Sequence, residues 1–355
     1  LEEYGKWLKN EQLPQANGDF RIGEEKYNKK LQFSLSSELS KEEILKRAEI
    51  ELINTQNELY NTALPLHKKY FPRYSSADKK KVIKRVLNKL ADDHPTNENI
   101  VDLAKAYLEQ CTNFVQTKNI VTLPSEPINI IVMPEYQRGV AVAYCDAPGA
   151  LEKNGETFYS ISPTPEDWNA ARALSFYREY NNYMLQNLTI HEAMPGHYLQ
   201  LAHANKYKGS TLIRSLFSSG TYIEGWATYS EQLMAELGYG GDEVKMQQLK
   251  MKLRLIINAI IDQKIHTEGM TEQGAMDIML NEGFQEEGEA SGKWRRACLT
   301  STQLSTYFVG NSKVNDLRYL YEQKMGKDFN MKIFHDQLLS YGSIAPKYIK
   351  EIMEL

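Results

Sequence analysis

Two histidines and a glutamate fall within one short segment of the chain. His191 and Glu192 are adjacent, and His197 follows six residues after His191. The chain has only 7 histidines in 355 residues, so this segment is enriched in them. Neutral imidazole is a good zinc ligand, and a neighbouring carboxylate can act as general base for a metal-activated water. These residue types are those of a metal-dependent hydrolytic centre.

The spacing departs from the H-E-x-x-H pattern, which places both histidines on one face of a helix. Pro195 stands four positions after His191, and in a regular helix a residue six positions on points away from the first. Proline cannot donate a hydrogen bond to the carbonyl of His191, whereas Gly196 permits unusual backbone angles. We predict that the Pro-Gly pair makes a bulge or wide turn, which brings His197 back beside His191. The alternative is a straight buried helix whose histidines bond to backbone carbonyls.

A second segment supplies carboxylates among apolar neighbours. Glu224 and Glu231 are seven residues apart, which is two helical turns, so they share one face of a helix. A buried carboxylate needs a partner, and a metal ion is a strong one. Zinc enzymes commonly use three protein ligands, and the candidates here are His191, His197 and Glu224. Glu231 or Glu236 could orient one of these ligands, and ion pairs with Arg or Lys on neighbouring helices are the alternative.

Composition and charge narrow the class of protein. A net charge of -4 and a pI near 6.1 imply no general attraction to nucleic acid or to a membrane surface. The three cysteines are far apart, which predicts neither a disulfide framework nor a CxxC metal site. No apolar run approaches the ~18 residues of a membrane span. The chain begins at Leu1, so the lack of a targeting segment at this point excludes nothing.

Hydrophobic periodicity predicts a mainly α fold, a large helical bundle with a small β portion. Ser40 and Glu43 form a capping box that begins a helix ending near residue 63, and further helices are predicted over 76–92 and 97–117. After Pro165 the predicted helices cover 166–186, 188–207, 220–237, 242–266, 271–282, 288–309, 312–325 and 331–340. Glycines at Gly209, Gly238–Gly241 and Gly326 mark breaks.

The chain between Ile120 and Pro165 has a different character. It contains β-branched and aromatic runs with turn residues, including Asn154 and Gly155, and the predicted strands are Ile128–Val132, Val140–Tyr144 and Thr157–Ile161. A small sheet or hairpin is expected, whose free edge could pair with an extended peptide or merely cap the bundle. The chain is interpreted as one domain over 1–355, with a helical scaffold over 1–119, a β portion over 120–165 and a helical metal-site portion over 166–355.

The site segments together resemble a bacterial family. The patterns His-Glu-x-x-Pro-Gly-His-x-x-Gln and Glu-Gly-Trp-Ala-x-Tyr-x-Glu are similar to those of a domain of unknown function, number eight-eight-five, whose members are taken for zinc peptidases. The likeness extends from about Leu13 to Arg318 and includes Arg254–Asp262 with His266, Gln303–Tyr307 with Gly310, and Ala143-Tyr144 with Pro148-Gly149 and Phe158-Tyr159. One departure is that Gln263-Lys264 stand where the family usually has small residues, next to His266.

This resemblance implies a gluzincin-like metallopeptidase with one zinc ion per chain on His191, His197 and Glu224. In that scheme Glu192 is the general base, and Tyr307 or His266 donates a hydrogen bond to the oxyanion. The substrate-binding candidates are Arg254, Arg318, Gln200, Tyr144 and Tyr159, and the supporting residues are Glu231 and Asp262. Family members commonly have more chain before this one begins, so an N-terminal part is expected to be missing. An exported protein, with or without a lipid anchor, is expected, and a cytoplasmic one stays open.

Short peptides are the expected substrates, because a site deep between helices admits an extended chain better than a folded protein. Cleavage near an end, as by a carboxypeptidase, or by an oligopeptidase, fits this interpretation. Two alternatives stay open: a zinc hydrolase of a non-peptide amide or ester, and a metal-free binding protein that keeps the fold without activity. The remaining histidines have no metal-like company and are expected to be ordinary surface or core residues: His67, His94, His203 and His335.

Overall fold

The computed structural model describes residues 1–138, 142–152, 155–207 and 213–355. Helices dominate these residues and one small sheet accompanies them, which confirms the predicted mainly helical class with a small β portion. None of the described helices is long and apolar enough to cross a bilayer. The predictions at Val140, Asn154 and Gly209 fall outside the described residues.

The helices fill the chain on both sides of the sheet. Numbered in chain order, they are α1 Glu2–Trp7, α2 Glu24–Leu35, α3 Lys41–Tyr70, α4 Lys79–Leu90, α5 Ile100–Lys118, α6 Ala170–Glu179, α7 Asn182–Glu192, α8 His197–Ala204, α9 Ile213–Leu216, α10 Gly220–Glu236, α11 Gly241–Glu268, α12 Glu272–Asn281, α13 Glu287–Leu299, α14 Ser305–Met325, α15 Met331–Ser340 and α16 Pro346–Ile352. The capping box predicted at Ser40 and Glu43 is present at the start of α3.

Three predicted helices are each divided in two. The helix expected over 166–186 breaks before Asn182, because the side chain of Asn181 accepts hydrogen bonds from the N–H groups of Tyr183 and Met184 and so begins a new helix. The helix expected over 188–207 is interrupted after Glu192. The helix expected over 288–309 ends at Leu299, and α14 begins six residues later.

The sheet has three strands, β1 Ile128–Val132, β2 Ala143–Asp146 and β3 Thr157–Ile161. Their order is β1-β3-β2, with β1 parallel and β2 antiparallel to the central β3. The small sheet predicted for this region is therefore confirmed, although β2 lies slightly later in the chain than expected. β2 is an edge strand and packs on α7.

α11 lies at the centre of the helical portion and is buried along most of its length. It packs against α3, α7 and α14, which is why its sequence carries apolar residues on all sides rather than one stripe. The polar residues that it buries, among them Arg254 and Asp262, must then find partners inside the protein.

Two glycines allow α10 and α14 to approach closely. A Cβ at Gly225 would lie 2.6 Å from the carbonyl carbon of Gly310, and a Cβ at Gly310 would lie 2.2 Å from the carbonyl oxygen of Thr221. No side chain fits at either position without moving a backbone. The contact sets Glu224, next to Gly225, beside Tyr307, which is one turn before Gly310 in α14.

We predict that Gly310→Ala destabilises the protein by about 1–3 kcal/mol, because the added methyl group forces α10 and α14 apart. The matched control is Gly292→Ala in α13, where a Cβ would meet nothing within 4 Å. That change should leave stability unchanged or raise it by up to about 1 kcal/mol through helix propensity. Urea unfolding of both variants measures the difference, and equal midpoints would contradict the close helix contact.

Candidate metal centre

The chain between α7 and α8 has the interruption that the sequence predicts. α7 ends at Glu192 and α8 begins at His197, and the Met194–Pro195 peptide between them is cis. The N–H of Gly196 donates to the carbonyl of Ile190 at 2.9 Å, so the turn folds back on the last turn of α7. The ring centroids of His191 and His197 lie 4.6 Å apart with their planes at 84°. The predicted convergence of the two imidazoles is thus present.

Gly196 is required by the space inside this turn. A Cβ at this position would lie 1.9 Å from the carbonyl oxygen of His191 and 2.3 Å from that of Ile190. The turn is also tied to the next element of the site, since the indole N–H of Trp226 donates to the carbonyl of Pro195 at 2.8 Å. Trp226 is fully buried on α10, two residues after Glu224, and so fixes that helix against the turn.

The three predicted ligands come together at one point. Oε2 of Glu224 lies 3.5 Å from Nε2 of His191 and 3.5 Å from Nε2 of His197. One ligand atom from each of the three residues can be chosen so that all lie within 4.8 Å of one another. This is the one group of three or more potential metal ligands found among the residues described.

The arrangement fits a bound divalent ion. Oε2 of Glu224 is buried and makes no hydrogen bond with any described group, although two imidazole nitrogens face it. Two ligands at ~2.0–2.1 Å from a tetrahedral zinc ion lie roughly 3.3 Å apart, close to the separations seen here. Two imidazole nitrogens and one carboxylate oxygen are also a donor set that zinc accepts.

Glu231 orients His191 from behind. Its Oε1 lies 2.6 Å from Nδ1 of His191, and its Oε2 accepts a hydrogen bond from Nδ2 of Asn187 at 2.6 Å. Glu231 is only 2% exposed, so its charge acts strongly on the ring. A carboxylate on Nδ1 holds the proton there and leaves the lone pair of Nε2 free for a metal. Asn187 is one helical turn before His191, a spacing that could have identified it from sequence.

The pKa values of His191 and Glu224 move in opposite directions. Burial lowers the pKa of His191, but its contacts with Glu224 and Glu231 outweigh burial and hold the pKa well above its ordinary value. Burial raises the pKa of Glu224, but its contacts with His191 and His197 outweigh burial and hold it far below. The site therefore favours positive charge between the carboxylates, which protons or a divalent cation can supply.

Glu192 and Tyr307 also lie at this centre. Glu192 directly follows His191 at the end of α7 and is 8% exposed, and its charge together with burial raises the pKa of the Cys145 thiol on β2. Burial raises the pKa of Tyr307, and the charge of Glu224 raises it further. The phenol of Tyr307 therefore keeps its proton and can donate a hydrogen bond close to the ligands. Its oxygen lies 3.5 Å from Nη2 of Arg296, a neighbour that sequence reasoning missed because α13 and α14 meet only in the fold.

Asp262 and His266 lie in a different part of the core. The imidazole Nε2 of His266 lies 2.8 Å from the carbonyl oxygen of Thr300 and 3.0 Å from that of Ala297, so the ring holds the end of α13. Asp262 accepts hydrogen bonds from the N–H groups of Thr302 and Ser305, and therefore anchors the start of α14. Asp262 thus helps to place the start of α14 and His266 the end of α13, and these contacts give the expected oxyanion donation by His266 no support.

The substrate-binding candidates all have protein partners. Arg254 pairs with Glu179, and Arg318 lies 3.0 Å from Glu236 and 2.8 Å from Glu322. The remaining three form side-chain hydrogen bonds within the protein: Gln200 with Ser343, Tyr144 with Gln137 and Tyr159 with Thr189. Tyr159 and Gln200 are buried, and contact with a substrate would require them to move.

The other histidines make ordinary contacts, as predicted. Those of His94, His203 and His335 are with backbone carbonyls at 2.7–2.9 Å, and that of His67 is with Arg85. Burial lowers the pKa of His335 to about 4, so its ring is neutral in the core, where it accepts a hydrogen bond from Tyr229.

Comparison with known proteins places the chain in context. The model of a family described as "Bacterial protein of unknown function (DUF885)" matches residues 1–353. A solved structure described as "a putative lipoprotein of unknown function", from Shewanella oneidensis, is 38% identical with a TM-score of 0.88, and the match covers 100% of this chain and 64% of that one. A second solved structure, described as "the putative lipoprotein" from Colwellia psychrerythraea, has the same fold, with 21% identity and a TM-score of 0.83. That match covers 99% of this chain and 58% of the other. This chain thus spans less than two thirds of either solved relative. The search of curated proteins gave no match.

We predict that Glu231→Gln weakens zinc binding by roughly 10- to 100-fold, because the amide no longer holds the proton of His191 on Nδ1 with a full negative charge. Glu236→Gln, on the same helix but exposed, is the matched control and should bind zinc as the parent does. Competition with a zinc-binding dye measures both affinities. Equal affinities for the two variants would show that Glu231 does not support the metal centre.

Proposed function

This chain belongs to the DUF885 family of bacterial proteins, and we propose that it is a zinc-dependent metallopeptidase that hydrolyses short peptides. The observation that carries the proposal is the unpartnered Oε2 of Glu224 facing Nε2 of both His191 and His197 at 3.5 Å. Two histidines and a downstream glutamate with a catalytic glutamate beside the first histidine make the arrangement gluzincin-like. One metal ion per chain is expected.

Zinc bound by these three residues would lower the pKa of a water molecule toward ~7 and polarise a carbonyl group. The protein's own part is to hold the ligands in place. Glu231 orients the ring of His191, and the turn through Gly196 brings His197 back beside it.

Glu192 is proposed as the general base. It follows His191 in the last turn of α7, so its carboxylate starts next to the metal position. It would take a proton from the attacking water and later give it to the leaving nitrogen, so one residue serves both halves of amide hydrolysis.

Tyr307 is proposed as the donor to the oxyanion. Its phenol keeps its proton under the influence of Glu224, and Arg296 lies beside the oxygen. A neutral donor at this position would stabilise the negative charge that develops on the carbonyl oxygen during attack. His266, the other candidate, has its Nε2 directed at the carbonyls of Ala297 and Thr300.

The position of β2 favours a peptide over other amides or esters. β2 is an edge strand packed on α7. Burial raises the pKa of its Cys145 thiol, and the charge of Glu192 raises it further. A free strand edge can bind an extended peptide by main-chain hydrogen bonds. A hydrolase of a non-peptide amide or ester would use the same ligands but would not need this edge, and it remains the second candidate.

The solved relatives are described as lipoproteins, which supports the proposal that the full protein is exported and anchored by lipid. A metal-free binding protein with this fold is less well supported. In such a protein the buried Oε2 of Glu224 would stay without a hydrogen bond, which is costly unless a ligand satisfies it.

We predict that the zinc-loaded protein cleaves members of a synthetic peptide library and that Glu192→Gln lowers kcat by about 10²- to 10⁴-fold, because the amide cannot accept the proton of water. The variant should still bind one zinc ion per chain. Mass spectrometry of the digest identifies the cleaved bonds, and metal analysis supplies the control. Full activity in this variant would remove Glu192 as the base, whereas cleavage of esters but no peptide would favour the second candidate.

We predict that Tyr307→Phe lowers kcat by roughly 100-fold or more with little change in KM, because a donor to the transition state is lost. Tyr319→Phe is the matched control, since Tyr319 lies on the same helix and is 61% exposed. Steady-state kinetics on a peptide from the library compare the two. Equal rates in the two variants would exclude Tyr307 from the chemical step.

A further inference from the structure

A cluster of charged side chains lies beneath the surface where α6, α11 and α13 meet. We refer to it as the charge cluster, and its members are Glu179, Lys250, Arg254, Glu289 and Lys293. Their side chains are at most 22% exposed. Charges are costly to bury unless each has a partner, so the pairing within the cluster can be followed group by group.

Glu179 is fully paired. One of its carboxylate oxygens contacts Arg254, and the other accepts from Nζ of Lys250 at 2.7 Å and from the N–H of Glu286 at 3.4 Å. These groups join α6, α11 and the start of α13. This half of the cluster is structural.

The other half has too few carboxylates. Oε1 of Glu289 lies 3.7 Å from Nη1 of Arg254 and 3.6 Å from Nζ of Lys293, beyond hydrogen-bond distance in both cases. Its Oε2 accepts from the hydroxyl of Tyr180 at 3.3 Å. Three cations therefore share two carboxylates, which leaves one positive charge in excess. Nε of Arg254, on a side chain only 7% exposed, is buried and has no partner among the described groups.

Lys293 is the cation of the cluster with the fewest hydrogen-bond partners among the described groups. Its side chain is 11% exposed, and none of the hydrogen bonds in the described part of the chain involves its ammonium group. Burial lowers its pKa to about 8, with Arg254 and Arg296 adding to the effect and Glu289 opposing it. An anion placed next to Lys293 would relieve both the missing hydrogen bonds and the repulsion between cations.

The cluster leads toward the metal centre along one helix. Glu289, Lys293 and Arg296 stand four and then three residues apart on α13, so they share one face. Arg296 reaches the hydroxyl of Tyr307 at 3.5 Å, and Tyr307 in turn lies within the electrostatic reach of Glu224 and His191. The cationic side chains of Arg296 and Lys293 thus lie between Tyr307, the proposed oxyanion donor, and the rest of the charge cluster.

We infer that Lys293 and Arg296, with Arg254 behind them, form a subsite that binds a carboxylate of the substrate on one side of the scissile bond. The inference rests on the proposed peptidase function and specifies its substrate class: peptides that carry a carboxylate at or near the C-terminus. Guanidinium and ammonium groups are suited to this anion, and the excess positive charge would be reduced by a bound carboxylate. Of the two arginines suggested by sequence, the subsite retains Arg254, whose buried Nε has no partner among the described groups. It excludes Arg318, which is paired with two glutamates.

The test measures binding without turnover. The parent is Glu192→Gln loaded with zinc, and the probes are one short peptide as the free acid, its C-terminal amide, and an amide ending in an acidic residue. Calorimetry should show that the free acid binds roughly 10-fold or more tightly than the plain amide. Tight binding of the acidic amide would assign the subsite to a side-chain carboxylate, and weak binding would assign it to the α-carboxylate. Equal binding of all three probes would overturn the inference.

Variants then locate the subsite. Lys293→Gln and the exposed Arg296→Gln, each added to the parent, should reduce the preference for the carboxylate, and Lys293→Arg should largely retain it. Lys313→Gln is the matched control, because the Lys313 side chain is similarly buried but lies on α14 and pairs with Glu38, outside the charge cluster. An unchanged preference in both Gln variants would contradict the assignment.

The outcomes separate the two proposals. If the wild-type protein cleaves peptides but the parent binds acid and amide equally, the subsite is wrong and the peptidase function stands. If the carboxylate preference is present and depends on Lys293 but no peptide is cleaved, the subsite stands and the peptidase function is wrong.

Discussion

The candidate metal centre depends on the reversal of the backbone between α7 and α8. Four residues, 193–196, must end one helix, turn and begin the next, so that two histidines six positions apart face each other. Only glycine fits at position 196, because a Cβ there would collide with two carbonyl oxygens. The hydrogen bond from Trp226 to Pro195 then couples this turn to the helix that carries Glu224. A local backbone constraint thereby brings all three candidate ligands together.

The rest of the site depends on where α14 begins and how closely it approaches α10. Asp262 holds the start of α14 through the N–H groups of Thr302 and Ser305, and burial raises the pKa of this carboxyl despite the hydrogen bonds that it accepts. The glycine contact between Gly225 and Gly310 sets the separation of the two helices. Both constraints help to determine the position of Tyr307, which lies in the first turn of α14.

The features that sequence predicted are those with local signals. The convergence of the three candidate ligands follows from residue type and spacing, the interruption from the Pro-Gly pair, and the first and third strands from β-branched runs. The structure departs from prediction where distant contacts decide. The helix predicted over 288–309 is broken before Ser305, where Asp262 on α11 accepts from the N–H groups of Thr302 and Ser305. Arg254 is paired by Glu179 on α6. No local pattern reveals which arginine in a helical bundle is left without a full set of partners.

Anomalous diffraction from crystals grown with zinc would show whether His191, His197 and Glu224 bind one metal ion, as we propose. We expect a single strong peak at the zinc absorption edge, ~2.0–2.2 Å from Nε2 of both histidines and from a carboxylate oxygen of Glu224. Glu231 should remain on Nδ1 of His191. No anomalous peak among the three residues, with Glu224 merely paired to the two imidazoles, would show that they do not form a metal site.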